Sequence, residues 1–534
     1  MKYSIAAIFV CLLTVSQGLA AEHAAAPRFA DETQTAGIDS VYAGGWQYMV
    51  GGGAAVFDCN DDGFPDLMLA GGEQPARFYE NTSKPRGRLD FARKDSGLEL
   101  TAVTGAYPVD IDSDGNMDVV VLRVGENLVM KGDGACRFSR ANEAWSFNGG
   151  DAWSTAFAAM WEQGSTWPTV AIGNYIDRKE ELEPWGSCTP NWLHRPAAGI
   201  PGFAPPLDLT PSHCPLSMLF TDWSNSGTAD LRVSNDREYY EGGQEQMWRL
   251  PPGKPPTLYG KADGWRYLRI WGMGIAGYDL DGDGYQEYFL TSMADNKLQT
   301  LANLPPDGSA PKPAYKDVAW PRGVTAHRPF TGDDLRPSTA WHTEFQDVNN
   351  DGRVDLFVAK GNVSEMPDFA IEDPNNLLVQ GADGKFTEMA DKAGVASIAQ
   401  ARGGAVVDFN LDGLVDLLVV NRNSQAEIWR NTTANAGNWI EVRLKQPAPN
   451  LNAIGAMVEV KTDDGIQRRE ITSGGGHVSG HVGWIHFGIG TAPEAEIRIR
   501  WPGEGWSKAY RVTANSFADI GKMQDAAAPW QPPR

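Results

Sequence analysis

The sequence predicts an all-β protein, a seven-bladed β-propeller followed by a small antiparallel β domain. The first observation is an acidic nine-residue loop that occurs in five full copies. The second is that short apolar runs stand on both sides of each loop, so that every copy joins two strands. The third is a repeat period of about 50–60 residues, which suits four short strands per unit. An open solenoid is the alternative architecture.

The loops have the residue pattern of a calcium site. Each has Asp at positions 1 and 5, Asp or Asn at position 3, Gly at position 6 and Asp or Glu at position 9. Calcium takes about six to eight oxygen ligands, and these side chains with the carbonyl of position 7 supply most of them. An EF-hand is excluded because position 12 is apolar and a strand follows. A metal-free turn is the alternative, since Asp, Asn and Gly also favour turns.

The predicted calcium ligands fall into five sets, in which position 7 acts through its backbone carbonyl. They are Asp58, Asn60, Asp62, Phe64 and Asp66; Asp110, Asp112, Asp114, Asn116 and Asp118; Asp279, Asp281, Asp283, Tyr285 and Glu287; Asp347, Asn349, Asp351, Arg353 and Asp355; and Asp408, Asn410, Asp412, Leu414 and Asp416. The loops that begin at Asp110 and Asp279 carry four carboxylates each, so they should bind calcium most tightly.

Two further units bring the repeat count to seven. Residues 222–230 form a weakened copy of the loop, with Ser224 and Ser226 at positions 3 and 5. Residues 161–169 keep the apolar strand that follows a loop but have none of the acidic ligands. We expect the loop at 222–230 to bind calcium weakly or not at all.

The ends of the chain indicate export. Residues 1–20 have a basic start, a short apolar run and small residues before Ala20, which is typical of a secretory signal peptide.

The net charge of −22 argues against nucleic acid and anionic lipid as partners. We expect a secreted or periplasmic protein without a transmembrane segment, with a propeller over 21–433, a β domain over 434–522 and a disordered tail over 523–534.

The cysteines are compatible with an oxidising compartment. Once Cys11 is removed with the signal peptide, four remain, and they allow three pairings. We favour Cys188–Cys214, which would close a Pro-rich insertion, and Cys59–Cys136 by elimination. Free thiols are the alternative, which an exported protein makes less favourable.

Some residues could carry chemistry. His327, His342 and Glu344 could serve in general acid–base catalysis, although no nucleophile motif accompanies them. The Gly-x-Gly-x-x-Gly pattern at 272–277 runs directly into an acidic loop instead of opening a helix, which argues against a nucleotide site.

Three further histidines lie close together in a glycine-rich stretch, at His477, His481 and His486. Two histidines four residues apart come close enough to share a metal ion on a helix, and the local sequence favours a strand or turn. We therefore expect a structural role or a surface position for them.

These motifs resemble known families. The repeats resemble the FG-GAP/VCBS repeats of integrin-α-type propellers, with Gly-Ala-x-hydrophobic before Asp-x-Asp/Asn-x-Asp-Gly-x-x-Asp. Asn-Trp439-Ile-Glu-Val-Arg-Leu, Gly474-Gly-Gly-His477 and His486-Phe-Gly-Ile-Gly490 resemble the ASPIC/UnbV domain. Together they resemble bacterial members of the cartilage-acidic-protein-like family. The resemblance implies a secreted calcium-binding propeller whose loops stiffen the blades, and it brings no settled biochemical activity.

We expect calcium-dependent recognition of an extracellular or periplasmic partner, either a protein or a glycan. The alternative is an enzyme with a pocket on the propeller axis that acts on a polysaccharide or a biosynthetic intermediate. The axial cavity discriminates between the two. Convergent His, Arg and carboxylate groups there favour chemistry, whereas an apolar or water-filled channel favours binding.

Overall fold

The computed structural model describes residues 25–180, 186–237, 244–305, 309–364 and 366–533. The predicted signal peptide, residues 1–20, lies outside this part of the chain. Within it, no helix is long and apolar enough to cross a membrane. Among the described residues, the helices are α1 (Ala319–Arg322), α2 (Ala390–Ala393) and the 3₁₀ turns Trp46–Tyr48 and Lys261–Asp263, and the larger elements are strands.

Seven groups of antiparallel strands form the blades of a propeller, and two neighbouring blades are joined in one nine-stranded sheet. The strands of the first four blades are β2 (Ala54–Phe57), β3 (Asp66–Leu69), β4 (Arg77–Asn81) and β5 (Phe91–Lys94); β6 (Val103–Val109), β7 (Asp118–Gly125), β8 (Leu128–Gly132) and β9 (Phe138–Arg140); β10 (Ala152–Met160), β11 (Thr169–Asn174), β12 (Asn191–His194) and β13 (Leu207–Leu209); and β14 (Pro215–Thr221), β15 (Asp230–Asn235), β16 (Gln246–Arg249) and β17 (Thr257–Leu258).

The remaining three blades follow the same order. Their strands are β18 (Gly272–Tyr278), β19 (Glu287–Ser292), β20 (Lys297–Leu301) and β21 (Tyr315–Asp317); β22 (Ala340–Gln346), β23 (Asp355–Lys360), β24 (Asn376–Gln380) and β25 (Phe386–Glu388); and β26 (Gln400–Val407), β27 (Asp416–Arg422) and β28 (Glu427–Asn431), completed by β1 (Phe29–Asp31). The predicted seven-bladed propeller is confirmed. The pattern at 272–277 lies in the inner strand β18, not at the start of a helix.

The N-terminal strand closes the ring. β1 pairs antiparallel with β28, with Phe29 opposite Asn431, so the last blade contains both ends of the propeller. Closure covers an edge that would otherwise expose unpaired backbone groups. Two disulfides add cross-links, and both pairings favoured from the sequence, Cys59–Cys136 and Cys188–Cys214, are confirmed.

The C-terminal domain consists of two four-stranded sheets. Their strands are β29 (Asn438–Lys445), β30 (Met457–Thr462), β31 (Gly465–Glu470), β34 (Ile485–Gly490), β35 (Glu494–Arg500), β36 (Tyr510–Thr513), β37 (Ser516–Gly521) and β38 (Ala528–Trp530). Alternate residues such as Ile440, Val442, Ile497 and Ile499 are buried and form the core between the sheets. The predicted small β domain after the propeller is therefore confirmed.

The expectation of a disordered tail over 523–534 is wrong for part of that segment. β38 pairs with β37, and the Trp530 ring packs 4.9 Å from Trp484 and 5.5 Å from Phe517, measured between ring centroids. The Pro-rich composition suggested disorder, but one large aromatic side chain with a buried surface to cover fixes the strand.

Residues 473–482 leave the C-terminal domain and fill the centre of the propeller; we call them the axial segment. It includes β32 (Ser473–Gly474), which pairs with β10, and β33 (Gly480–Val482), which runs parallel to β2. The segment reaches the inner strand of every blade. Its contacts are Ala54 N to Ser479 Oγ (3.1 Å), Ala106 N to Val478 O (3.2 Å), Gly474 with Ala158, Gly475 N to Met218 O (2.7 Å), Gly476 N to Ile275 O (2.7 Å), His477 N to His342 Nδ1 (3.1 Å) and Gly404 N to Ser479 Oγ (3.2 Å).

Small residues make this central crossing possible. Gly474, Gly475 and Gly476 all have positive φ, a region that other residues adopt only with strain. On the propeller side, a Cβ at Gly53 would overlap the carbonyl oxygen of Val478. The Gly-Ala character of the inner strands therefore serves close backbone approach at the axis.

Candidate metal loops and axial cavity

The five predicted loops and the weakened loop at 222–230 share one backbone conformation. Each connects the inner strand of a blade to the second strand. Position 4 is left-handed in all six, at Asp61, Ser113, Asn225, Gly282, Asn350 and Leu411, with φ between 55° and 74°. The position-6 glycines have φ between 81° and 93°, where an L side chain is strained. The glycine of the motif is thus required by the turn.

Backbone N–H groups orient the two terminal carboxylates of each loop. The N–H of the position-6 glycine donates to the position-1 Asp over 2.6–3.1 Å. The N–H of position 2 donates to the position-9 carboxylate over 2.8–3.1 Å. Both carboxylates are therefore fixed on the concave side of the turn before any ion enters.

Two loops bring three acidic side chains together. The ligand atoms of Asp110, Asp112 and Asp118 lie within 4.8 Å of one another, as do those of Asp279, Asp281 and Glu287. Within the described residues, the three loops with Asn at position 3 form no such acidic group. This difference follows the carboxylate count that the sequence gives.

Several buried oxygens in the loops have no hydrogen-bond partner. They are Asp112 Oδ1, Asp279 Oδ1, Glu287 Oε1 and Asn410 Oδ1. A buried polar oxygen without a partner costs free energy, and a coordinated cation removes that cost. These atoms match the hard oxygen ligands of calcium, whereas zinc and copper sites use imidazole or thiolate.

Burial makes the carboxylates difficult to ionise without a cation. It raises the pKa of Asp118 to about 8, although backbone N–H groups stabilise the anion. Burial and the neighbouring Asp281 raise the pKa of Glu287 to about 8. Burial likewise raises the pKa of Asp110 to about 6. A divalent cation would favour the ionised form of all three.

Protein cations already neutralise part of the charge. Lys131 Nζ contacts Asp112 and lies 2.7 Å from Asp114 Oδ2. Its side chain is 36% exposed, so it can turn to solvent when another cation takes the carboxylates. In the next four-carboxylate loop, Arg468 Nη1 lies 3.0 Å from Asp279 Oδ2.

In the weakened loop, protein groups occupy the carboxylates that remain. Arg500 Nη2 lies 3.2 Å from Asp222 Oδ2. Asp230 accepts hydrogen bonds from Trp223 Nε1 (2.8 Å) and the Tyr259 hydroxyl (2.7 Å). These contacts explain how the loop keeps the same shape, and weak or absent calcium binding there stays a prediction.

A cavity of about 180 Å³ lies beside the axial segment, between blades 5 and 6 and the C-terminal domain. Its polar lining includes Gln286, His342, Glu344, Arg443, Arg469, Glu470 and His481. These residues come from sequence positions almost 200 apart, and only His342 and Glu344 were sequence candidates for acid–base chemistry. The cavity meets the criterion of convergent His, Arg and carboxylate groups.

The acid–base candidates are only partly brought together. His342 donates from Nε2 to Glu344 Oε1 over 2.9 Å, because its Nδ1 accepts the N–H of His477. His327 does not join them, since it is half-exposed on a connecting loop and contacts Asp295. The grouping of His327 with the other two was wrong. His327 lies in the connection between two blades, whereas His342 and Glu344 lie in the inner strand β22.

Charge and burial act in opposite directions on Glu344. Burial by itself would raise its pKa, but the hydrogen bond from His342 and the nearby His481 and Arg469 lower it below its usual value. Burial raises the pKa of Glu470 to about 7. Of the two glutamates, Glu344 is therefore the one that stays ionised over the wider pH range.

The three clustered histidines differ in their surroundings. His477 is fully buried, with Nε2 2.8 Å from Val50 O and Nδ1 3.1 Å from Leu216 O. His486 lies between Glu441 Oε1 (3.1 Å) and Asn350 Oδ1 (2.7 Å). Both have the structural role that the sequence indicated. Nε2 of His481, in contrast, is buried and has no hydrogen-bond partner.

Comparison with known proteins agrees with this arrangement. Residues 58–121 and 347–419 match the model of the FG-GAP-like repeat, and residues 446–527 match that of ASPIC and UnbV. The chain contains FG-GAP-like repeats and an ASPIC and UnbV domain.

Curated relatives include cartilage acidic protein 1. The Mus musculus protein is 24% identical over 197 residues, which cover 36% of this chain and 28% of that protein. The Homo sapiens protein is 30% identical over 106 residues, which cover 19% of this chain and 16% of that protein. The matches thus span less than a third of the relatives' own length.

Solved structures with a similar chain course have low identity. BBS1N in complex with ARL6DN is 10% identical with a TM-score of 0.42, over 76% of this chain and 97% of that one. Trypanosoma rangeli sialidase is 9% identical with a TM-score of 0.35, over 71% of this chain and 59% of that one.

The ASPIC and UnbV domain covers the propeller face that carries the acidic loops. Trp484 Nε1 donates to Gly63 O (3.1 Å), and Gly437 N donates to Asn349 O (3.0 Å). Asn450 N donates to Ser113 Oγ (3.1 Å). The domain therefore contacts loops of blades 1, 2 and 6 directly, and the loop conformation forms part of the domain interface.

Proposed function

We propose that this protein is an exported calcium-stabilised propeller that presents a binding surface to an extracellular or periplasmic protein or glycan. The observation that carries the calcium assignment is the set of buried loop oxygens without partners, which lie beside terminal carboxylates that backbone N–H groups hold in place. The FG-GAP-like repeats support the same assignment. The two disulfides support an oxidising location.

Calcium would act here by stabilising the folded state. An ion that binds only the folded chain adds RT ln(1 + [L]/Kd), which is about 2.7 kcal/mol per site at 100 Kd. Because the ASPIC and UnbV domain rests on the same loops, this free energy would also hold the domain on the propeller.

The partner surface is proposed for the opposite face. Loops alternate between the two ends of a blade, so the connections between blades lie away from the acidic loops. Exposed apolar residues occur at this end of the blades, at Tyr267 (65%), Leu335 (74%) and Ile398 (51%) between blades and at Ile371 (40%) between β23 and β24. Large exposed apolar side chains in one region are typical of interaction sites.

One experiment tests both parts. We expect metal analysis of the mature protein to find about five calcium ions per chain, and we expect chelation to lower the unfolding temperature. Calcium-loaded protein should capture a partner from the extracellular or periplasmic fraction. Leu335→Asp should reduce capture, whereas Ile466→Asp, on the exposed surface of the C-terminal domain, should not. Absence of bound calcium, together with equal stability in chelator, would refute the calcium assignment.

The alternative, chemistry on the propeller axis, is supported by one observation. Glu344, Arg469 and His481 converge on the axial cavity, with His342 orienting the carboxylate. The substrate class that this cavity fits is argued below, and the same binding measurement tests it.

A further inference from the structure

We propose that the axial cavity binds a small neutral polyhydroxylated molecule, about one sugar ring in size. None of the predicted calcium ligands lines the cavity, so this inference is independent of the calcium assignment.

Glu344 is held as a hydrogen-bond acceptor that faces the cavity. Oε1 accepts from His342 Nε2 (2.9 Å), and Oε2 accepts from Val406 N (3.3 Å). His342 is in turn fixed by the backbone N–H of His477 in the axial segment (3.1 Å). Two blades and the axial segment thus orient a single carboxylate whose side chain remains 18% exposed. Such support is typical of a binding site.

The C-terminal domain supplies groups on the other side. Arg469 is fixed by Gln346 Oε1 (2.9 Å) and Phe345 O (2.7 Å). His481 contributes a buried Nε2 that has no protein partner. Leaving such a nitrogen unpaired costs free energy, and a ligand that hydrogen-bonds to it removes that cost.

The balance of charge selects the ligand class. Two groups of opposite charge, Glu344 and Arg469, line the same space. Glu470 and Arg443 also line it, but they are paired with other protein groups. A simple cation would meet the arginines, and a simple anion would meet Glu344, so each is disfavoured. A hydroxyl group donates to a carboxylate and accepts from a guanidinium at once, which satisfies both signs.

The size and the apolar part of the lining fit the same class. A cavity of about 150 Å³ holds benzene, so the 180 Å³ here accommodates a six-membered ring with some substituents. Leu219, Ile275 and Val482 line the cavity beside the polar groups. A sugar ring has this combination of hydroxyl groups and C–H surface.

Saturation-transfer NMR on the calcium-loaded full chain tests the proposal. The probes are the methyl glycosides of glucose, galactose and N-acetylglucosamine, with myo-inositol, against methylamine, acetate and glycine. We expect signals from at least one polyol and none from the charged or zwitterionic probes. A response confined to methylamine, acetate or glycine, or no response from any polyol, overturns the proposal.

Variants locate the site. Glu344→Gln keeps the shape and removes the charge, and we expect at least tenfold weaker binding. Ala276→Leu fills the cavity with all charges retained and should abolish binding. Glu143→Gln is the matched control, because Glu143 is exposed and far from Glu344 in the sequence, and this variant should bind like the parent.

Thermal unfolding establishes that each variant is folded, and His481→Asn replaces Glu344→Gln if that variant is unstable. Polyol binding that is unchanged in folded Glu344→Gln and Ala276→Leu places the ligand elsewhere and refutes the assignment.

Discussion

The substitution Asp281→Asn is the sharpest test of a calcium loop. Asp281 is position 3 of the loop at 279–287, and its carboxylate lies within 4.8 Å of those of Asp279 and Glu287. The side chain is exposed, and without metal it repels the neighbouring carboxylates, so its loss lowers stability only when an ion is bound. Asparagine keeps the shape and one oxygen ligand while it removes one negative charge.

The expected effect is small but measurable. Calcium affinity depends on the number of charged ligands, and we take the loss of one to weaken binding about tenfold. At a concentration of 100 Kd for the parent site, stabilisation would fall from about 2.7 to about 1.4 kcal/mol. With an unfolding entropy of about 2.1 cal/mol/K per residue over about 400 residues, this difference lowers Tm by about 1.5 °C.

The assay is thermal unfolding in calcium and in EDTA, with Ser224→Ala as the matched control. Ser224 occupies the same position in the weakened loop, which has the same backbone but whose carboxylates pair with protein groups. Asp281→Asn should lower Tm only in calcium, and Ser224→Ala should show no calcium-dependent change. An equal decrease for Asp281→Asn in both buffers would show that Asp281 acts only within the turn.

Two further outcomes are expected. Gly53→Ala should lower Tm by several degrees, because its Cβ would overlap the carbonyl of Val478; an unchanged Tm would contradict close packing at the axis. In chelator, the free energy of unfolding should fall between pH 5 and pH 8.5. The pKa of Asp118 and Glu287 in the folded protein, about 8, lies above the value of about 4 in the unfolded chain, so their contribution is present at low pH and lost as these groups ionise. Calcium should suppress this fall, and denaturation midpoints across the pH series measure it.

The blades could be predicted because their signals are local. The acidic loop fixes its own conformation through N–H groups only a few residues away, and the apolar runs beside it specify the strands. Even the weakened loop at 222–230, with Ser at two ligand positions, has the same φ values. A repeat that is defined by short-range hydrogen bonds can be counted from sequence.

The contents of the axis could not be predicted in the same way. Residues 473–482 hydrogen-bond to strands that lie up to about 430 residues away in the sequence, and the local sequence does not identify those partners. The three consecutive glycines are the local signal for close backbone approach in this stretch. The Arg469–Glu470 pair and His481 become cavity residues only because this segment is inserted.

The axial segment also constrains how the protein can mature. Blades 1 to 7 are synthesised before it, and chains fold in general from the N terminus. Until residues 473–482 arrive, seven inner strands would surround an empty centre, with backbone groups of Ala54, Ala106 and Gly404 lacking their partners. The C-terminal domain thus completes the hydrogen bonding of the propeller, and a nascent chain stopped before residue 473 would leave these inner-strand groups unpaired.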